Sequence, residues 1–436
     1  MALKYFGTDG VRGVALAEPL TLQETARWGR AWSEVAHQRG AREMVIGWDP
    51  RTSSEPLAQA FLSGLGDRLD VCLLGLVPTP TVSWVTSRRP GAWGLMISAS
   101  HNPPEDNGLK GFEGSGEKLS EEDEAAIEAA FEALPAPAAG ARAFQPCHEP
   151  TEAYLDHLGG LDLPAGFKLI VDCAHGATAP WAPRLLRGPG VRFLGIPADG
   201  VRINVGVGST HMDLLQQEVM RTGADAGIAF DGDGDRCLLV DAQGHLVDGD
   251  QLIWLLAQDL HRPHAPLPGV VGTLMSNGGL EHALAGLGVC FARTQVGDKF
   301  MLRELGKRGW DLAAEASGHI IQKHLGPSGD GLATAIACLQ ALLHKAPEQR
   351  WAWKFEPWPL RLVNVQAKDR RPVEECARLR EAMAELEARH GSTIRVVVRW
   401  SGTEPKLRLM VEAQDEHCML EAIQGLEVAA RADLGV

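Results

Sequence analysis

The chain has 436 residues, 45% of them hydrophobic, and a formal net charge of -14. That length suits several domains with sizeable cores, and the acidic balance argues against a nucleic-acid or anionic-membrane surface. The eight cysteines are scattered without a CxxC pair, the N-terminus has no apolar signal region, and no apolar run reaches membrane-spanning length. These features predict reduced thiols, a cytoplasmic location and no membrane partner.

In chain order, the pattern alternates short apolar strands with longer helical stretches. Residues 21–39 read as a helix capped by Thr21, with Glu24 in its first turn. EMVIGW at 43–48 reads as a strand, 53–66 as a helix, 69–74 as a strand, and GLMIS at 94–98 as another strand. A helix over 120–134 begins at Ser120, with Asp123 in its first turn. PAPAAGARA then reads as linker, which sets a first boundary. The pattern restarts with KLIVDCAHGATAP, with two strands around FDGDGDRC, and with a helix from Leu252 to Leu260. It restarts again at GVVGTLMSNGG, and a helix ending in ALLHKAPEQ closes that part. A Trp/Pro-rich stretch leads to a helix at 373–389, a strand at 394–399 and a helix from 416. The recurrence of strand, small-residue turn and helix predicts three related α/β units and a smaller α+β tail. Their boundaries fall at 1–145, 146–247, 248–350 and 351–436.

Five stretches carry chemistry. In DGDGDR, Asp231, Asp233 and Asp235 alternate with glycine between two strands. Three converging carboxylates repel and call for a cation, and an all-oxygen set suits Mg²⁺. Arg236 beside them suits a phosphate. GTDGVRG frames Asp9 and Arg12 with glycines. RWSGTEPKLR offers Arg399, Ser401, Gly402, Thr403 and Arg408 as a phosphate cradle. EASGH offers Glu315, Ser317 and His319 to sugar-type hydroxyls. SASHNPPEDNGLK follows an apolar strand and is expected to hold Ser100 exposed at the strand's carboxyl end, with Asn107-Gly108 turning the chain to bring Lys110 alongside. Neither a dinucleotide fingerprint nor a P-loop accompanies the set, so a serine that itself carries the phosphoryl group fits best.

Those motifs, taken in chain order, resemble the α-D-phosphohexomutases, and GTLMSN with VGDKF is similar to the bacterial phosphoglucosamine mutases. IGWDPRTSS, GSTH and VDGDQ extend the similarity over nearly the whole chain. The resemblance implies three mixed-sheet α/β domains plus a smaller C-terminal α+β domain around a central cleft. It implies a phosphoserine at Ser100, one Mg²⁺ held by the phosphoserine with Asp231, Asp233 and Asp235, and a sugar 1,6-bisphosphate as primer. His101, Lys110, Arg12, Arg236 and His319 would line the reaction centre, with Lys110 and His319 as candidates for proton transfer. Glu315 and Ser317 would grip the sugar, and Arg399, Ser401, Gly402, Thr403 and Arg408 would clamp the other phosphate. The implied reaction interconverts glucosamine 6-phosphate and glucosamine 1-phosphate, by a monomer or homodimer. Glucose or mannose phosphates are the nearest alternative substrates, with a phosphatase or a non-catalytic sugar-phosphate sensor as more distant readings. Trp400, Ala316 and Pro50 depart from the usual family pattern without removing an expected chemical group.

Overall fold

The computed structural model describes residues 3–7, 9–135, 146–367, 370–401 and 405–436. They form two compact units, Met1–Thr273 with Ala292–Trp353, and Leu274–Phe291 with Lys354–Val436.

The first unit opens on a six-stranded mixed sheet. Its strand order is Phe6–Gly7, Gly10–Val14, Asp106–Phe112, Ala92–Ile97, Glu43–Trp48 and Asp70–Leu76. The last three of these run parallel, whereas Asp106–Phe112 is antiparallel to both its neighbours. Ala92–Ile97 is buried at every residue, as its unbroken apolar sequence demands of a strand covered on both faces. Helices Leu22–Gln38 and Ser54–Leu65 pack together closely, because a Cβ at Gly29 or Gly64 would strike the partner helix's backbone. Thr21 and Ser120 cap their helices as expected, each accepting an N–H at 3.1 Å. Trp28 stacks on Phe131 at 3.6 Å and Trp32 lies against Phe61, so this core absorbs part of the high tryptophan content.

One expectation fails in this sheet. Asn107-Gly108 is not a turn but lies inside the Asp106–Phe112 strand, and the chain reverses before it. Gly108 is there for close approach, since a Cβ would come within 2.8 Å of the Ser98 carbonyl and 2.9 Å of the Val11 carbonyl.

A second, five-stranded sheet has the order Val191–Leu194, Leu169–Asp172, Ala226–Phe230, Cys237–Asp241 and Leu246–Val247. Phe230 pairs with Cys237 in antiparallel register, so the acidic loop is the connection of a β-hairpin. The helix expected soon after Leu169–Asp172 is only Ala182–Leu185, and Asp213–Thr222 is the longer helix packed on this sheet. The next part of the unit contains helix Gly249–Leu260 and strands Gly269–Thr273, Leu312–Ala314 and Ile320–Gln322, with helices Asp298–Arg308 and Gly331–Leu343.

In the second unit, Lys406–Ala413 lies between Leu360–Gln366 and Ile394–Trp400 in an antiparallel sheet. Helices Ala377–His390 and Glu416–Leu434 accompany that sheet, whose core includes Val365, Leu379, Leu409 and Leu426. Among the described residues no helix is long and apolar enough to cross a membrane.

Candidate active site

The site begins where the buried Ala92–Ile97 strand ends. Ser98 donates its hydroxyl to Asp49 Oδ2 at 2.7 Å and accepts the Ser100 N–H at 2.8 Å. Ser100 has φ of 53°, a left-handed conformation that costs a side-chain-bearing residue strain. The surroundings hold it there. Its carbonyl accepts from Arg51 Nη2 and from Asn204 Nδ2, both at 2.9 Å. The fully buried Arg51 guanidinium also donates to the carbonyls of Asn102 at 2.8 Å and Asp106 at 2.9 Å, and to that of Pro103. Asp49 anchors Arg51 at 2.9 Å, and burial pushes the Asp49 carboxyl up against that pairing.

Thus constrained, Ser100 Oγ donates to Asp231 Oδ2 at 2.6 Å and lies 3.3 Å from His101 Nδ1. Ser100 is only 1% exposed, which corrects the expectation of an open serine. The acidic-loop backbone closes over it, since a Cβ at Gly232 would come within 2.6 Å of the Ser100 carbonyl.

The three aspartates meet as their spacing predicts. One oxygen from each of Asp231, Asp233 and Asp235 lies within 4.8 Å of the others, and all three residues are buried. Burial, with Asp235 and Asp233 beside it, pushes Asp231 well above the usual carboxylate range. Burial acts the same way on Asp235, but Lys110, His319 and Arg236 overcome it and hold that carboxyl well below. Lys110 is itself buried, at 2.7 Å from Asp233 Oδ2, 3.2 Å from Asp9 Oδ2 and 3.7 Å from Asp235 Oδ2. Burial works to lower its pKa, yet these carboxylates win and hold it above the ordinary lysine value. Thr79 donates to Asp233 Oδ2 at 2.6 Å. Oδ1 of Asp233 and Oδ1 of Asp235 are buried and accept no hydrogen bond. Free acceptors in an all-oxygen cluster fit a hard divalent cation.

Cations surround the triad. Arg12 pairs with Asp9, Arg236 Nε lies 3.8 Å from Asp235 Oδ1, and the Arg236 backbone N–H donates to Asp231 Oδ1 at 3.2 Å. The Nε groups of Arg12 and Arg236 are buried and make no hydrogen bond within the protein, a donor pair suited to a phosphate. Burial, then the charges of Arg236 and Arg12, push His101 down to about 4, so its ring is neutral near pH 7.

The EASGH turn joins strands Leu312–Ala314 and Ile320–Gln322. Glu315 accepts from the Gly297 N–H at 2.9 Å and from the Ser317 hydroxyl at 3.2 Å. The turn is fastened to the metal hairpin: the Cys237 N–H donates to the Gly318 carbonyl and the Gly249 N–H to the Ala316 carbonyl, both at 3.0 Å. Gly318 has φ of 89°, and a Cβ there would collide with the Cys237 carbonyl. His319 consequently lies with Nδ1 3.7 Å from Asp235 and Nε2 3.8 Å from Asp298. Burial opposes its protonation, but Asp235 and then Asp298 raise its pKa above the ordinary value.

In the second unit, Arg399 pairs in register with Arg408 across the sheet, and Arg408 Nη2 lies 3.4 Å from Ser401 Oγ. The Ser401 N–H donates to the Lys406 carbonyl at 2.8 Å, and Trp400 Nε1 donates to the Arg371 carbonyl at 2.8 Å. Gly402 and Thr403 lie outside the described residues.

Comparison with known proteins places this geometry. Profiles described as phosphoglucomutase/phosphomannomutase alpha/beta/alpha domains I, II and III match residues 3–137, 152–244 and 248–352, and the C-terminal domain profile matches 362–424. The phosphoglucosamine mutase of Symbiobacterium thermophilum is 42% identical over 94% of this chain and 95% of that protein. The Azotobacter vinelandii phosphoglucosamine mutase is 41% identical over 95% of this chain and 96% of its own length. The chain belongs to the phosphoglucosamine mutase family. It is therefore an enzyme of the phosphohexomutase type. A Burkholderia thailandensis phosphoglucomutase/phosphomannomutase family protein shares the fold, with a TM-score of 0.81 at 23% identity over 99% of this chain and 98% of that one.

Sequence reasoning missed several groups that build this mutase-family site. Asp49 and Arg51 stand in the quoted IGWDPRTSS, and Asp298 in VGDKF, but only as marks of similarity. Thr79, Asn204 and Lys118 carried no signal, because each meets a partner more than a hundred residues away: Thr79 and Asp233 are 154 positions apart, Asn204 and Ser100 104, Lys118 and Asp9 109.

Proposed function

We propose that the chain interconverts glucosamine 6-phosphate and glucosamine 1-phosphate through a phosphoserine at Ser100 and an enclosed 1,6-bisphosphate. The observation that carries this reading is the 2.6 Å hydrogen bond from Ser100 Oγ to Asp231, a member of the buried carboxylate triad. It puts a nucleophile and a cation site at one point. Asp231, Asp233 and Asp235, with a phosphoryl oxygen on Ser100, would hold Mg²⁺, which when bound neutralises and polarises the transferring phosphoryl group.

In the first half-reaction the Ser100 Oγ–P bond breaks, a bond from phosphorus to sugar O1 or O6 forms, and the proton that the sugar hydroxyl loses is matched by the one that Ser100 Oγ gains as it leaves. In the second, Ser100 Oγ takes the other phosphoryl group and releases its own proton. Neutral His101, 3.3 Å from Oγ, is suited to receive that proton. Lys110 is poorly suited to act as a base, since three carboxylates hold it protonated. We assign it instead to charge stabilisation, with Arg12 and Arg236 offering their free Nε groups to phosphate oxygens. His319, with its raised pKa, serves as the proton donor to the sugar oxygen that leaves phosphorus in the second half-reaction, and Glu315 with Ser317 reads hydroxyls. Arg399, Ser401, Gly402, Thr403 and Arg408 hold the phosphate that is not reacting.

The amino-sugar preference rests on the curated relatives, which are named for it over nearly the full chain. Ala316, beside Glu315, is the one departure in the sugar turn that favours testing glucose and mannose phosphates too. The test compares kcat/KM on glucosamine, glucose and mannose 6-phosphates, each with Mg²⁺ and a matching 1,6-bisphosphate. Glucosamine phosphate is expected to give the highest value. A higher value on either other sugar overturns the substrate assignment and leaves the mechanism standing.

A further inference from the structure

The groups around the triad form a closed ring of alternating sign. Lys110 Nζ lies 3.2 Å from Asp9, and Asp9 pairs with Lys118. Lys118 Nζ lies 2.7 Å from Asp298 Oδ2, Asp298 3.8 Å from His319, His319 3.7 Å from Asp235, and Asp235 3.7 Å from Lys110. The ring joins three stretches of chain: the GTDGVRG hairpin with its neighbouring strand, the metal hairpin, and the segment carrying the sugar turn.

Lys118 occupies the far side of this ring from the aspartate triad. Its side chain is 13% exposed and reaches two carboxylates, one from each flanking segment. Among the ion pairs of the described residues it alone joins Asp9 to Asp298. Asp9 also holds Arg12, and Asp298 also faces His319.

Building on the mutase reading above, we propose that Lys118 is a positioning residue: through Asp9 it sets Lys110 and Arg12, and through Asp298 it sets His319, against the transferring phosphoryl group. Without its charge Asp9 has only Lys110 and Arg12 to neutralise it and draws Lys110 away from Asp233. Asp298 in turn draws His319 away from Asp235. Both displacements misplace charge where geometry governs rate.

The test measures phosphorylation of Ser100 by glucose 1,6-bisphosphate with Mg²⁺, followed by intact mass, alongside steady-state turnover. Lys118→Met is expected to slow phosphoryl transfer and kcat by about a hundredfold, with KM for the sugar phosphate nearly unchanged. Lys118→Arg restores the charge and most of the rate. Asp298→Asn, nearly isosteric, gives a smaller loss of the same kind and keeps the test decisive if the Met variant folds poorly. Combined with Lys118→Met, it costs nothing further, because its effect runs through the same link. Rates within about twofold of wild type, losses that multiply in the double variant, or a loss that tracks the folded fraction without rescue by Arg overturn the inference. A wild-type protein whose Ser100 accepts no phosphoryl group overturns the mutase reading itself, and the inference falls with it.

Discussion

Ser100, the nucleophile proposed above, owes its placement to residues well beyond its own side chain. Its left-handed φ of 53° is held by two donors on one carbonyl, Arg51 and Asn204, which come from different sheets' neighbourhoods. What remains for the hydroxyl is a single strong acceptor, Asp231. Asp233 has a different task, taking hydrogen bonds from Thr79 and Lys110 on Oδ2 and leaving Oδ1 free. Asp233→Asn removes charge at nearly constant shape. It is expected to leave melting within a few degrees of wild type and to lower kcat by at least about a hundredfold, with the Mg²⁺ concentration for half-maximal activity shifted upward. Unchanged activity in excess chelator, for the parent protein, would exclude the cation from the mechanism.

Helix Glu121–Ala133 carries its own pH sensitivity. Burial pushes Glu124 up to about 7, with Lys299 3.7 Å away opposing it, and Oε2 accepts no hydrogen bond. In the unfolded chain the same carboxyl titrates near about 4.3. Between those values the native state keeps a proton that the unfolded chain has released, so stability falls as pH rises through the window. Glu124→Gln is expected to melt above the parent at about pH 8, with the gap closing toward about pH 4; a gap independent of pH would rule the shift out. At the same scale lies the measure of what could be read from residues alone. The acidic hairpin and the EASGH turn were legible as local structure, because their residues sit in short runs between strands. The Asp106–Phe112 strand was not, since Asn-Gly signals a turn locally while backbone pairing on both sides decides otherwise. Lys118 and Asn204 were silent for a related reason: their partners are assembled by the fold, and nothing adjacent in sequence announces them.

For the molecule as a whole, the first unit is stitched together at the site itself. The Gly318 carbonyl accepts from Cys237, the Gly234 carbonyl from Gly331, and Asp231 from the Ser100 hydroxyl, so the serine loop, the acidic hairpin and the EASGH turn share one framework. Such a framework asks the bound sugar, rather than the protein around Ser100, to reorient between half-reactions. The 1% exposure of Ser100 carries a further consequence. Protein kinases and phosphatases work on segments that can be drawn out and laid along a groove, and the 98–106 stretch is pinned at several carbonyls by Arg51 and Asn204. With Ser100 as the phosphoryl carrier proposed above, the native protein is expected to be a poor substrate for such enzymes at this serine. A broad-specificity protein phosphatase should therefore leave the phosphate of the native protein in place while stripping it after urea denaturation, and intact-mass measurement before and after treatment reads the difference. Equal removal from both forms would mean that the serine loop opens far more readily than its hydrogen bonds indicate.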